Sequence, residues 1–451
     1  MLNIKKWWRS TAASSPVWKY HLDYPSTEHG QPKEKTGWVV QGWVLVKPQV
    51  YRDLKQPPYL SVKLNEQLER CIPLDRNRPD VVSTFKHAQA QEQCGFRLAL
   101  PLSGTKLQLR LHINDQSYAL IDLSLPVATP ENDAEPEPLK VLQGHQDWLF
   151  LDNDTNFSVD QHRGLLRLSK KCLADWQRYI QDWQTHMAVW DNRALFLIAP
   201  TKESVLSHYY PYQAAASGLF DEVFAQMPSD MYLYPTQELQ ALGDASYYKT
   251  DTHWTHQGAQ RVVESVAQRL GLDGCEVQAV FVQDTYQTRE HVGDLGNKLT
   301  PPFSQPASFL TGMHYKKWVV FDNALPNFGR VVLMQNHNAL HDALCLVFGS
   351  SSSYSLLSYL CRIFQRVLVA HTAGHIDLAM LNATQPTYVI AQTNARFMVR
   401  PPTFEHSVSA TVKQKSRALT AEQKEALTVI EKPEGSELIA QLGLDLYLPV
   451  L

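Results

Sequence analysis

The 451-residue chain lacks any apolar run approaching the roughly 20 residues that a membrane-spanning helix needs, and its opening MLNIKKWWRSTAAS has no apolar segment of secretory length. The expectation is a soluble protein kept in the cytoplasm. Trp7 and Trp8 beside Lys5, Lys6 and Arg9 add peripheral contact with the inner membrane as an alternative to a frayed terminus. No charge of one sign dominates either: 42 Lys and Arg stand against 45 Asp and Glu, for a formal charge of −3. That balance gives no reason to expect binding to a phosphate backbone, so nucleic acid is excluded as a general partner. The six cysteines, at 71, 94, 172, 275, 345 and 361, form no CxxC and read as buried thiols rather than a disulfide framework. HExxH and GxSxG are both absent, which removes the common zinc-protease motif and the ordinary α/β-hydrolase elbow. No Gly-rich coenzyme pattern occurs, and no tightly bound cofactor is expected.

What is present divides along the chain. The length exceeds that of one ordinary domain, so two or three cores are expected. Between 37 and 126 the segments GWVVQGWVLV, YLSVKLN, GFRLALPL, KLQLRLHI and SYALIDLSL read as short strands, and KLQLRLHI alternates as a strand with one wet face should. They predict a small all-β sandwich, preceded by an N-terminal extension over 1–36. Residues 126–140, PVATPENDAEPEPLK, hold four prolines and four acidic residues, and 127–140 is assigned as a linker. Beyond it the periodicity changes. A helix is expected over 168–183, with Leu168, Leu173, Trp176, Tyr179, Ile180 and Trp183 largely on one face, followed by the buried strand ALFLIAP. Strand and helix then recur through KWVVF, RVVLM, ALCLVF, RVLVAH and TYVIAQ. This pattern predicts an α/β domain over 141–406 with a parallel sheet covered on both faces. A C-terminal extension, 407–451, begins polar and ends apolar enough to dock.

Two stretches carry candidate chemistry. In LCLVFGSSSSYSLLSYL, 344–360, a buried strand runs into Gly349 and four serines before a helix expected over 352–365. A serine in that turn has an exposed hydroxyl beside first-turn N–H groups able to meet an oxyanion, although four serines also suit a capped, flexible turn. A serine nucleophile needs a base, and the base is best held by a carboxylate. KTDTHWTHQGAQ, 249–260, supplies Asp251 and His253 two positions apart, on one side of an extended segment or joined across a tight turn. Trp254 is a candidate pocket wall, and Thr255 a candidate N-cap for a helix starting near Gln257. Three readings of this stretch stay open: an acid–histidine pair, a metal site using Asp251, His253 and His256, or an ordinary polar loop. His341, Asp342, His371 and His375 add scattered ligand types without a metal pattern.

An ordered series of segments resembles the alginate O-acetyltransferase family, the DHHW-type branch of the SGNH hydrolase superfamily. DWLFLDNDT (147–155) resembles its entry segment, and LFLIAPTKESVLSHYYP (195–211) its strand and proline-lysine turn. YYKTDTHWTHQGA (247–259) resembles its aspartate-histidine motif, LVFGSSSSYSLLSYL (346–360) its GDS block, and PTYVIAQTNARF (386–397) its closing strand. The series covers roughly 140–400 and implies an SGNH-like α/β fold. It implies Asp251 as orienting acid, His253 as base and Ser351 as nucleophile; a register slip of two makes Ser353 the nucleophile instead. The aspartate of GDS is replaced by Ser350, and its aromatic neighbour by Ser352. Asn394 and Arg396 are candidate oxyanion donors, Lys202 and Tyr209 candidate pocket residues, and His256 a substrate contact or a bystander. Metal ligation recedes under this reading.

The resemblance implies acyl transfer through an acyl-serine to a sugar hydroxyl of a capsular, exopolysaccharide or lipopolysaccharide glycan or glycolipid. Association with polysaccharide assembly machinery accompanies that reading. Acetyl-CoA is the expected donor, on the ground of the expected location. A carbohydrate O-acetylesterase and a catalytically silent glycan-binding or assembly protein are the alternatives, and the β domain is a candidate carbohydrate-binding module.

Overall fold

A computed structural model describes residues 15–24, 37–63, 67–85, 91–101, 106–124, 141–152, 154 and 156–449. The expected linker at 127–140 and the Trp7–Trp8 segment lie outside them. The chain falls into two compact units, Met1–Glu137 with Leu165–Lys171, and Pro138–Gly164 with Cys172–Leu451.

The smaller unit is all β. Strands Val17–Tyr24, Gly37–Val46, Gln93–Pro101 and Arg76–Asn77 form one antiparallel sheet in that order. Leu166–Leu168, Leu68–Pro73, Tyr59–Lys63, Lys106–Ile113 and Gln116–Ser124 form a second. Val44, Val46, Phe96 and Leu98 of the first sheet share one core with Leu60, Val62, Leu109 and Leu111 of the second, which makes a sandwich. In Lys106–Ile113 the leucines and Ile113 are buried while Gln108 and Arg110 are exposed, as the alternation predicts.

Two boundaries differ from expectation. Val17–Tyr24, assigned to an extension, is an edge strand paired with Gly37–Val46, and it adds Val17 and Tyr20 to the core. Leu166–Leu168, assigned to the α/β domain, closes the second sheet against Leu68–Pro73. Three residues have too little pattern to reveal a long-range pairing.

The larger unit is built on an eight-stranded mixed sheet. Its strands are β1 (Ala194–Ala199), β2 (Tyr232–Leu233), β3 (Val319–Asp322), β4 (Val331–Gln335), β5 (His341–Gly349), β6 (Phe364–His371), β7 (Tyr388–Asn394) and β8 (Ile430–Glu431), in the order β2-β1-β7-β5-β6-β4-β3-β8. The first five are parallel, whereas β4, β3 and β8 continue the sheet antiparallel. KWVVF and RVVLM are thus strands, but of an antiparallel edge rather than of the expected all-parallel sheet. The tail is no free extension: β8 lies within it, and Tyr447 carbonyl accepts from buried Asn323 Nδ2 at 2.9 Å.

Helices cover both faces. Along β1, Leu195 and Leu197 join a core with Val262, Val263 and Val266 of α2 (His256–Arg269) and Leu356, Leu357 and Leu360 of α3 (Ser353–Ile363). Phe196 points the other way, to Trp176, Tyr179 and Trp183 of the helix α1 (Lys170–His186). No helix among the described residues is long and apolar enough to cross a membrane. Because β1, β5 and β7 are parallel, their carboxyl ends share one edge, bringing Thr201, Ser350 and Asn394 close from distant parts of the chain.

Candidate active site

The histidine loop is closed by its own hydrogen bonds. Tyr248 N–H donates to His253 carbonyl at 3.2 Å and Thr255 N–H to Ser246 carbonyl at 2.9 Å. Thr255 caps α2 as expected, its Oγ1 accepting from Gly258 N–H at 2.9 Å, and the helix begins at His256. Inside the loop Asp251 Oδ1 accepts from His253 backbone N–H at 2.9 Å, an Asx turn that sets the ring beside the carboxylate. His253 Nδ1 lies 2.6 Å from the same oxygen, and His253 Nε2 lies 3.0 Å from Ser351 Oγ.

The serine turn is tight because Gly349 has no side chain: a Cβ there would strike Ser353 Oγ. Ser353, the alternative nucleophile, is wholly buried and donates its hydroxyl to Gln392 Oε1 at 2.7 Å. The structure therefore brings Ser351, not Ser353, to the imidazole.

Electrostatics favours an anionic Asp251 and a basic His253. Burial acts to raise the Asp251 pKa, but hydrogen bonds from His253 and His291 and the charge of His253 override it and hold the carboxyl far below its usual range. For His253 burial acts to lower the pKa; the hydrogen bond and charge of Asp251, with the charge of Asp294, bring it above 6.5.

Three further side chains hold this pair: His291 and Asp294, which did not stand out in the sequence, and Lys202, which did so as a candidate pocket residue. Asp251 Oδ2 accepts from His291 Nε2 at 3.3 Å and from Asp294 N–H at 3.1 Å. The Asp294 carboxylate accepts from Thr252 N–H at 2.7 Å and Thr252 Oγ1 at 2.5 Å, while Leu295 and Gly296 N–H groups donate to Thr250 carbonyl. Gly293 permits the embrace: its φ is +66°, and a Cβ would meet Thr250 carbonyl and Asp251. The usable signal was HVGDLG itself, a glycine between two titratable residues at a turn.

Lys202 is the third. It lies along a cleft that His253, Trp254, Ser352, Asn394 and Arg396 also line. Its ammonium is not free for substrate, however: Nζ donates to the carbonyls of Leu149 (2.7 Å), Tyr248 (2.6 Å), Lys249 (2.9 Å) and Asp251 (3.2 Å). Burial pulls its pKa down to about 7, against the charges of Asp251, Asp294 and Glu203. Lys202→Met would take this donor from all four carbonyls, of which that of Lys249 keeps Leu149 N–H at 2.9 Å. The expected cost to the larger unit is on the order of 3 kcal/mol, read as a lowered midpoint in its denaturant unfolding.

The remaining candidates separate. Arg396 pairs with Asp154 at 3.0 Å, and Trp254 donates from Nε1 to Ser355 Oγ at 2.6 Å. Tyr209 is corrected: it stacks on Trp148 and donates to Asp244, away from the cleft lining. His256 is likewise outside that lining, edge-on to Phe309, with burial lowering its pKa to about 4. Among the described residues, the His/Cys/Asp/Glu group close enough for a metal is Asp251, His253 and Asp294, not the alternative set with His256. A cation there would compete with the 2.6 Å contact between His253 and Asp251.

Comparison with known proteins agrees with the resemblance. Residues 141–309 match the family model described as SGNH hydrolase-like domain, acetyltransferase AlgX. The match takes in Asp251 and His253 and ends before Ser351. A curated relative, the probable alginate O-acetylase AlgJ of Pseudomonas putida, is 28% identical over 179 residues, 36% of this chain. The aligned part spans only 43% of that relative's length. Among solved structures, Bacillus cereus PatB1 is similar with TM-score 0.43 and 13% identity, over 60% of this chain and 100% of that one. The O-acetyltransferase domain of Pseudomonas putida AlgJ gives 0.34 and 16%, over 58% and 94%. The larger unit thus resembles the alginate O-acetyltransferase-like branch of the SGNH superfamily, in a mixed α/β fold with separate N-terminal β sheets.

Proposed function

We propose that the chain is an O-acetyltransferase acting on a sugar hydroxyl of a polysaccharide or glycolipid, with Ser351 as nucleophile, His253 as base and Asp251 as orienting acid. The observation that carries this reading is the continuous line from Asp251 Oδ1 through the His253 ring to Ser351 Oγ, with contacts of 2.6 and 3.0 Å. The AlgX-type family match and the AlgJ relative support acetylation of a polysaccharide as the class of reaction.

In the first half-reaction His253 Nε2 takes the Ser351 proton as Oγ attacks the acyl carbonyl. The tetrahedral oxyanion collapses to acetyl-Ser351, and the departing group leaves with the proton from His253. In the second half the acceptor hydroxyl gives its proton to His253 and attacks acetyl-Ser351; collapse returns the proton to Ser351 Oγ. Two donors are available for the oxyanion. Among the described residues Ser351 N–H has no protein partner, and Asn394, on the cleft wall, makes its hydrogen bonds through Oδ1 rather than Nδ2. Acetyl-CoA is the donor to test first.

Water in place of the sugar would give hydrolysis with the same groups. The test measures acetate release and acetylated glycan together, from one donor, over a rising concentration of acceptor oligosaccharide. A transferase shifts product from acetate to ester as acceptor rises. Acetate release indifferent to every acceptor would make the protein an esterase, and absence of both products a silent binding protein.

A further inference from the structure

The amide of Gln392 is wholly buried on β7, behind the serine turn. Its Oε1 accepts from Ser350 N–H at 2.8 Å, Ser350 Oγ at 2.8 Å and Ser353 Oγ at 2.7 Å. A backbone N–H only donates, so this end of the amide has to be the oxygen. The other end, Nε2, donates to Thr393 carbonyl at 2.7 Å and to Asn394 Oδ1 at 3.1 Å. A carbonyl only accepts, so that end has to be the nitrogen. Two main-chain groups therefore fix the orientation of Gln392 independently of each other.

The consequence falls on Asn394. An N–H aimed at its side chain draws Oδ1 inward, where Ser350 Oγ also lies, at 3.3 Å. The NH₂ end is then left for the cleft that Asn394 lines. We propose that Gln392 is a positioning residue that sets the polarity of the Asn394 amide, so that an N–H rather than a carbonyl oxygen meets the oxyanion. This rests on the acyl-transfer reading. Serine at 350 belongs to the same arrangement. A carboxylate there would set acceptor against Oε1, in conflict with the orientation that the two main-chain groups impose.

Gln392→Glu separates the two halves of this arrangement. It keeps an acceptor for Ser350 and Ser353 but has no N–H for Asn394, whose amide is expected to turn and present Oδ1 to the cleft. Full-length wild type, S351A, N394A, Q392E and Q392E/N394A would be assayed on p-nitrophenyl acetate. Expected are a 10²- to 10³-fold loss of kcat in Q392E, on the order of a lost oxyanion donor, with KM changed about threefold or less. The double variant should be no worse than N394A, because Gln392 acts through Asn394. Losses that multiply, or a Q392E enzyme at wild-type kcat, would overturn the proposal. Q392L, uncharged and close in shape, runs the same cycle if Q392E does not fold; failure of both to fold would make Gln392 a core residue and end the proposal. Wild-type turnover no higher than that of S351A would instead bring down the acyl-transfer reading, and this inference with it.

Discussion

Ser351→Ala is expected to lower turnover of an acetyl ester by about 10⁵-fold while leaving the fold unchanged, because removing the nucleophile of a coupled serine–histidine–aspartate set removes the covalent route entirely. Ser353→Ala is the informative companion. Its hydroxyl is buried and donates to Gln392 Oε1, which keeps two other donors from Ser350. Losing one such bond costs roughly 1 kcal/mol of stability, and activity should stay within about tenfold of wild type. The measurement is kcat/KM on one acetyl ester for both variants, with intact mass after incubation with acetyl-CoA. An acetyl adduct of the wild type that vanishes in S351A and persists in S353A fits the 3.0 Å contact between Ser351 and His253. The reverse pattern would move the nucleophile two residues along and break the geometric case for His253 as its base.

Much of this arrangement was legible because it obeys short-range rules. KLQLRLHI reveals its wet and dry faces through the two-residue period, and β5 and β6 read as buried strands because both faces of a parallel sheet are covered. Asp251 and His253 were legible as one of three readings, because an aspartate two residues before a histidine can turn back on it, and their roles came from the family resemblance; Thr255 was legible because an N-cap has a local requirement. The serine register was not, since four consecutive serines look alike until Gly349 and Gln392 decide which hydroxyl is buried. His291 and Asp294 lie 40 and 43 residues beyond Asp251, and only the approach permitted by Gly293 joins the segments. Lys202 misled for a related reason. A lysine beside a catalytic strand suggests a substrate contact, yet its ammonium is drawn inward by backbone carbonyls, which have no sequence signature. The short strand Leu166–Leu168 depends likewise on a partner far along the chain, as does the place where the tail, expected to dock, adds its strand to the sheet.

Asp251→Asn should cost about 10⁴-fold in turnover, because the site cannot satisfy an amide where it satisfies a carboxylate. The two oxygens of Asp251 accept four donors: His253 N–H and Nδ1 on one, His291 Nε2 and Asp294 N–H on the other. An asparagine offers one oxygen and one NH₂. With the oxygen towards His253, the NH₂ faces Asp294 N–H, donor against donor, and the loop loses its cradle. With the oxygen towards Asp294, the NH₂ faces His253 Nδ1 and favours the tautomer whose proton sits on Nε2, pointing at Ser351, which leaves no base. The pH profile separates this account from simple damage. In the wild type the hydrogen bond and charge of Asp251 lift the His253 pKa above 6.5 against the effect of burial, so the acid limb of kcat/KM should lie above that pH. Without the carboxylate, burial dominates and the neutral ring is favoured. The limb of the residual Asp251→Asn activity should therefore move to lower pH, even as the plateau falls. A limb that stays in place, or a loss smaller than about tenfold, would detach Asp251 from the titration of His253 and leave the 2.6 Å contact a structural one.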